Sequence, residues 1–218
     1  MTNKITSMLS RLAAPFLKPT LALLATLAVG GAWAAGWWQS GTDWSSATWD
    51  GGSTDAYFIG PWSDVAMSFS ELYSDTATLF VGQGDTSKHT VTFEAADSTK
   101  GLALTGGMTI AFPSNTKGDL VLNEGTYSVT GDINLGTEAG STASLTVNDG
   151  ASLSAGGNFN FANGTSTLTI DGGTMTVSGA STWCWTDQAT GNATVSILNG
   201  GSLVINARHP VASATLVA

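Results

Sequence analysis

From Leu79 onward, apolar residues come in pairs two positions apart, and each pair is closed by a turn ending in glycine. The copies are Leu79-Val81-Gly84, Leu102-Leu104-Gly107, Leu120-Leu122-Gly125, Leu145-Val147-Gly150, Leu168-Ile170-Gly173 and Val195-Ile197-Gly200. Period-two alternation marks a strand with one buried face. The glycines follow one another at 23, 18, 25, 23 and 27 residues. A short strand returning at a period in the low twenties predicts a solenoid. Further apolar pairs fit inside each repeat. Val91 and Phe93 follow Gly84; Tyr127 and Val129, then Ile133 and Leu135, follow Gly125. Leu153, then Phe159 and Phe161, follow Gly150; Met175 and Val177, then Trp183 and Trp185, follow Gly173. The residues between them are mostly Thr, Ser and Asn, as at Thr146, Asn160, Thr169 and Thr176.

Three short strands per repeat predict an all-β chain folded as a right-handed parallel β-helix of about six coils. A helical solenoid is excluded, because no i, i+3, i+4 stripe follows the first 34 residues. A β-sandwich also has short alternating strands. The recurring phrase separates the two, since solenoid coils occupy equivalent environments and sandwich strands need not. Composition agrees. Gly is 27 of 218 residues, against a usual share of about 7%. Hydrophobic residues make up 42%, which excludes a disordered chain.

The first 34 residues follow another rule. Lys4, Arg11 and Lys18 precede an apolar run from Thr20 to Gly31, and Ala32-Trp33-Ala34 is an A-x-A cleavage site. The run is about a dozen residues, short of the roughly 20 that span a bilayer. Residues 1–34 are therefore expected to be a cleaved signal peptide, with Ala35 the first mature residue. No later segment is apolar enough for a transmembrane helix. All 16 acidic residues follow Ala34, but only Lys88, Lys100, Lys117 and Arg208 of the basic ones do, a mature net charge of −12. That excludes nucleic acid as a partner, because no basic patch is present to neutralise phosphates. The single cysteine, Cys184, rules out a disulfide framework and reads as a structural residue between Trp183 and Trp185.

Residues 35–64 are rich in Trp and Asp, with Trp37, Trp38, Trp44, Trp49 and Trp62. A solenoid needs a cap over its first coil, and this segment is expected to supply it, leaving residues 65–218 for the repeats. The same indoles are candidate glycan-stacking residues, because exposed Trp faces suit sugars. At the turns, Asn123, Asn148, Asp171 and Asn199 would stack in a column. Such a column could bind calcium or form a side-chain hydrogen-bond ladder. Only one of the four is acidic and the G-G-x-G-x-D nonapeptide is absent, which favours the structural ladder. No metal or other cofactor is expected.

The signal peptide, the stretch Trp44-Ser45-Ser46-Ala47-Thr48-Trp49-Asp50-Gly51-Gly52 and repeats such as Ser166-Thr167-Leu168-Thr169-Ile170-Asp171-Gly172-Gly173 resemble a known family. They are similar to the passenger regions of bacterial autotransporter-type surface proteins, especially the autotransporter-associated β-strand repeat type. The resemblance covers most of residues 36–218. It implies export to the extracellular or outer-membrane surface, with an adhesive or structural role. The family's C-terminal translocator barrel has no counterpart here. At Ser213-Ala214-Thr215-Leu216-Val217 the strand phrase restarts and the sequence stops, so the expectation is the N-terminal piece of a longer protein.

Two function classes follow. The first is a non-catalytic secreted or cell-surface scaffold, of the adhesin type, whose partners are surface glycans or other cell-surface proteins. The second is a carbohydrate-binding or carbohydrate-active β-helix protein. Enzymes of that kind need clustered carboxylates, whereas the acids here are dispersed. His89 and His209 have no partner motif, and no nucleophile elbow, His-Glu-x-x-His or phosphate loop is present. No catalytic residue is assigned. N-terminal sequencing of the exported protein should start at Ala35; an exported product retaining residues 1–34 would count against the signal-peptide reading.

Overall fold

Residues with alternating apolar and small polar side chains form strands throughout. The computed structural model describes residues 36–49, 55–58, 64–83, 86, 88–178, 183–185, 191–206 and 216–217, all within the compact unit Ala32–Ala218. The expected signal peptide of residues 1–34, Trp62, Arg208 and His209 lie outside the described residues. So do the side chains of Trp37, Trp49, Trp183, Cys184 and Trp185.

The chain visits three parallel sheets in rotation. The first receives Ala56–Phe58, Leu79–Gln83, Met108–Phe112, Ile133–Leu135, Phe159–Phe161 and Trp183–Trp185. The second receives Val65–Phe69, Thr90–Ala95, Lys117–Asn123, Thr142–Asn148, Thr165–Asp171, Asn192–Leu198 and Leu216–Val217. The third receives Leu72–Asp75, Gly101–Leu104, Gly125–Val129, Ala151–Ala155, Thr174–Val177 and Ser202–Ile205. This is the expected parallel β-helix. Among the described residues the third sheet holds six strands. The described residues include no helix and none long and apolar enough to cross a membrane.

Alternation decides which residues face inward. In Thr142–Asn148 every second residue is buried, and the same holds in Thr165–Asp171. The inward residues stack coil on coil. Leu120, Leu145, Leu168 and Val195 stand in register and are fully buried. Met108, Ile133 and Phe159 do the same from the first sheet, and Tyr127, Leu153 and Met175 from the third. One continuous apolar column therefore runs between the sheets.

Register corrects the count of six phrases. The last four copies are true equivalents, and Leu216 continues them by pairing with Val195. The first two are not. Leu79-Val81 lies in the first sheet and Leu102-Leu104 in the third. The residues that stand beside Leu120 and Leu122 are Val91 and Phe93, and beside those Val65 and Met67. The spacings of 23 and 18 therefore join different faces of the solenoid. An apolar pair followed by a glycine turn can close any of the three strands, so the phrase alone does not identify the face. In the early coils, Phe69 and Ala95 are in register near the corner that later coils turn with glycine. Beyond them, a Cβ placed on Gly125 would stand 2.5 Å from that of Ala95.

The start of the described chain closes the stack. Gly36–Ser40 joins the first sheet in parallel beside Ala56–Phe58, and Thr48–Trp49 pairs with it antiparallel. Between them, Thr42 and Trp44 reach the second sheet: Ser68 N donates to Thr42 O at 2.6 Å, and Trp44 N donates to Ser68 O at 3.1 Å. Trp44 is fully buried. Its ring stacks on Phe69 at 5.6 Å and meets the edge of Phe93 at 6.0 Å. It fills the end of the apolar column as a plug.

Removing a fully packed core side chain costs more than the transfer energy of its atoms, because a cavity remains. Leu168→Ala should lose about 2–5 kcal/mol and Trp44→Ala about 3–5 kcal/mol in urea unfolding. Thr169→Ala, on the outward side of the same strand as Leu168, should stay within about 0.5 kcal/mol.

Candidate functional site

The corner between the second and third sheets gathers the polar turn residues. Gly150, Gly172 and Gly200 take φ of 77°, 77° and 82° there, a region that costs glycine nothing. The turns hold Asn123, Asn148, Asp171 and Asn199 at successive levels. Asn148 Nδ2 donates to Asn123 Oδ1 at 2.7 Å, and Asn199 Nδ2 donates to Asp171 Oδ1 at 2.5 Å. Asn148 and Asp171 are register neighbours. Asn148, Asp149, Asp171, Gly172 and Asn199 line an open depression of about 420 Å³. Its acids are Asp149 and Asp171. Among the described residues, no cluster of three or more His, Cys, Asp or Glu could hold a metal ion. The geometry is that of amides and a carboxylate linked in pairs along the stacking direction.

Tyr127 supports this corner from inside. Its hydroxyl donates to the carbonyls of Asn123 at 3.0 Å and Glu124 at 2.9 Å. Burial pushes its phenol well above the ordinary value, and the Glu94 carboxylate adds to the shift.

A second ladder lies on the outer side of the first sheet, where Asn160 Nδ2 donates to Asn134 Oδ1 at 2.8 Å. Sequence reasoning missed it because no turn marks these positions. The available signal was an Asn between two apolar residues in both Ile133-Asn134-Leu135 and Phe159-Asn160-Phe161. On the second sheet the outward positions form hydroxyl columns: Ser144 beside Thr167 and Thr194, Thr146 beside Thr169 and Ser196. Lys88 pairs with Asp119 at 3.2 Å, and Thr90 Oγ1 donates to the same carboxylate at 3.2 Å. Lys88 is half exposed, and such a surface pair is worth about 0–1 kcal/mol.

The indoles considered for glycan stacking do not share one surface role. Trp44 has no accessible face. Trp38 is half-buried, packs against the core at 6.2 Å from Phe58 and donates from Nε1 to Gly41 O at 3.2 Å. An aromatic pair does lie on the outer side of the first sheet, where Tyr57 stacks on Phe80 at 4.7 Å with 13° between the rings. The two rings cover each other's facing surfaces, which a sugar would otherwise use.

No known protein family, curated protein or solved structure matches the chain.

Tyr127→Phe removes the one hydroxyl proton shared by the Asn123 and Glu124 carbonyls, the second of which keeps the Ala95 N–H as donor, and should cost about 1 kcal/mol in urea unfolding. The raised phenol value gives a pH sign. Tyr127's stabilising effect is complete below the unfolded value of about 10 and is lost as pH rises above it. Absorbance titration should therefore show a tyrosine ionisation step above the ordinary phenol range, and Tyr127→Phe should remove that late step.

Proposed function

We propose that this chain is a non-catalytic, exported β-solenoid scaffold displayed at a cell surface, of the adhesin-passenger kind that its sequence resembles. The observation that carries this reading is the registered outer face. Ser144–Thr167–Thr194 and Thr146–Thr169–Ser196 repeat the same small polar surface coil after coil, over a mostly apolar interior. An arrangement of this kind extends a surface by repetition and does not converge side chains on one reacting point. The acidic, small-polar exterior suits surface glycans or cell-surface proteins as partners and disfavours nucleic acid.

The export signal supports the same reading, since a solenoid without a disulfide framework must draw its stability from burial once outside the cell. Carbohydrate recognition is the alternative, and it draws on Trp37, Trp49 and Trp62, because Trp44 and Trp38 serve the cap. Protease treatment of intact producing cells tests the main proposal. The chain should be cleaved from the outside while a cytoplasmic marker survives; protection until lysis would contradict surface display. Titrating Trp fluorescence with polysaccharides separates the two classes. The scaffold reading expects no glycan-dependent shift in the cap, whereas a saturable shift lost in Trp49→Ala would favour the alternative.

A further inference from the structure

The sequence contains two Asn-Gly pairs, Asn163-Gly164 and Asn199-Gly200, and the fold treats them differently. Asparagine before glycine is chemically labile, because glycine leaves its own amide nitrogen sterically open to attack the preceding side chain. At the first pair this route is closed. Gly164 N donates to Gly136 O at 2.8 Å, and a Cβ on Gly164 would stand 2.3 Å from Ser141 Oγ. Asn163 Oδ1 is buried, while Nδ2 reaches Thr137 O at 3.5 Å. At the second pair both residues are exposed. They take φ of 50° and 82°, and among the described residues no atom beyond the adjacent ones stands within 4 Å of the place a Cβ would occupy on Gly200. The turn is closed by Gly201 N donating to Leu198 O at 2.8 Å.

We propose that Asn199 is a modification site, converted spontaneously through a succinimide to aspartate or isoaspartate. The Gly200 amide nitrogen gives up its proton to water or hydroxide and attacks Asn199 Cγ. The Cγ–Nδ2 bond breaks as Nδ2 takes a proton back from water, and it leaves as ammonia. Water then opens one of the two imide C–N bonds. Cleavage at Cγ gives aspartate on the original backbone; cleavage at the main-chain carbonyl carbon gives isoaspartate. The step needs water and no oxidant, reductant or enzyme. Its consequence is local. Asn199 Nδ2 is the donor to Asp171; the product places a second carboxylate there, in the depression that already holds Asp149. The last link of the corner ladder is replaced by like-charge repulsion. This inference does not depend on the surface-scaffold proposal.

The test is peptide mapping by mass spectrometry after incubating the full chain at mildly alkaline pH. In the folded chain Asn199 should convert at least about tenfold faster than Asn163, and in urea the two rates should converge, because protection belongs to the fold. Equal rates in the folded chain would overturn the proposal. So would an unchanged Asn199 over a time in which the unfolded chain converts. Asn199→Asp imitates the product. Faster amide exchange in Asn192–Leu198 of that variant supports the lost link, and unchanged exchange overturns that part.

Discussion

When one coil settles on the next, each strand residue lands beside a defined residue of the previous coil. Leu145 stands beside Leu120, Leu168 beside Leu145 and Val195 beside Leu168. The backbone ladder imposes this coincidence at about 4.8 Å per step. It makes the column, more than the single residue, the unit that must be compatible. Inside, apolar meets apolar at most steps, with Asp75 beside Leu104 an exception whose carboxylate accepts from Ala77 N, and outside a donor must meet an acceptor or a small neutral group. A slip of one residue would send every inward side chain to solvent. The interior leucines and the outward Asn and Thr columns are two consequences of that one requirement.

The constraint acts on strands and leaves corners freer. Equivalent residues of the second sheet are separated by between 21 and 29 positions from coil to coil. The extra residues sit between strands, where no register has to be kept. The first coils also use bulkier interior groups. Trp44, Phe69, Phe93 and Tyr127 form a chain of ring contacts 5.1 to 6.2 Å apart, and this aromatic end is where the cap docks. Later coils are filled chiefly by Leu, Ile, Val and Met, with Phe159 and Phe161 on the first sheet. An exposed end of the column would be costly, and Trp44 removes that cost by burying itself over the first coils.

The repeat was legible wherever the corner after the second sheet is an Asn or Asp turn with glycine, as at Asn148-Asp149-Gly150 and Asp171-Gly172-Gly173. It was misread where that corner is built from Phe69-Ser70-Glu71, or from Ala95-Ala96 followed by the Asp97 turn, since no glycine closes the strand phrase there. Local pattern reports a strand's periodicity. It does not report which of three similar faces the strand joins, because that depends on hydrogen bonds to residues some 25 positions away. The turn residues Asn123, Asn148 and Asp171 stack as their spacing suggested, whereas Leu198 takes the register position beside Asp171, and Asn199 reaches that carboxylate from one residue further on. Asn134 and Asn160 carried only the weaker signal of an Asn between two apolar residues, and they become neighbours once Ile133 and Phe159 are aligned. The role of Trp44 was likewise hidden among five similar indoles until packing singled it out.

Cysteine cross-linking of neighbouring coils tests the register most directly, in a Cys184→Ser background. Thr92 and Val121 are outward neighbours in the second sheet, close enough for a disulfide, which needs Cα atoms within about 7 Å. Ala103 lies in the third sheet beside Ser128, although the repeated phrase alone would align it with Val121. The account predicts that Thr92→Cys with Val121→Cys forms an intramolecular disulfide under mild oxidation and that Ala103→Cys with Val121→Cys does not. Efficient cross-linking of the second pair in preference to the first would contradict it.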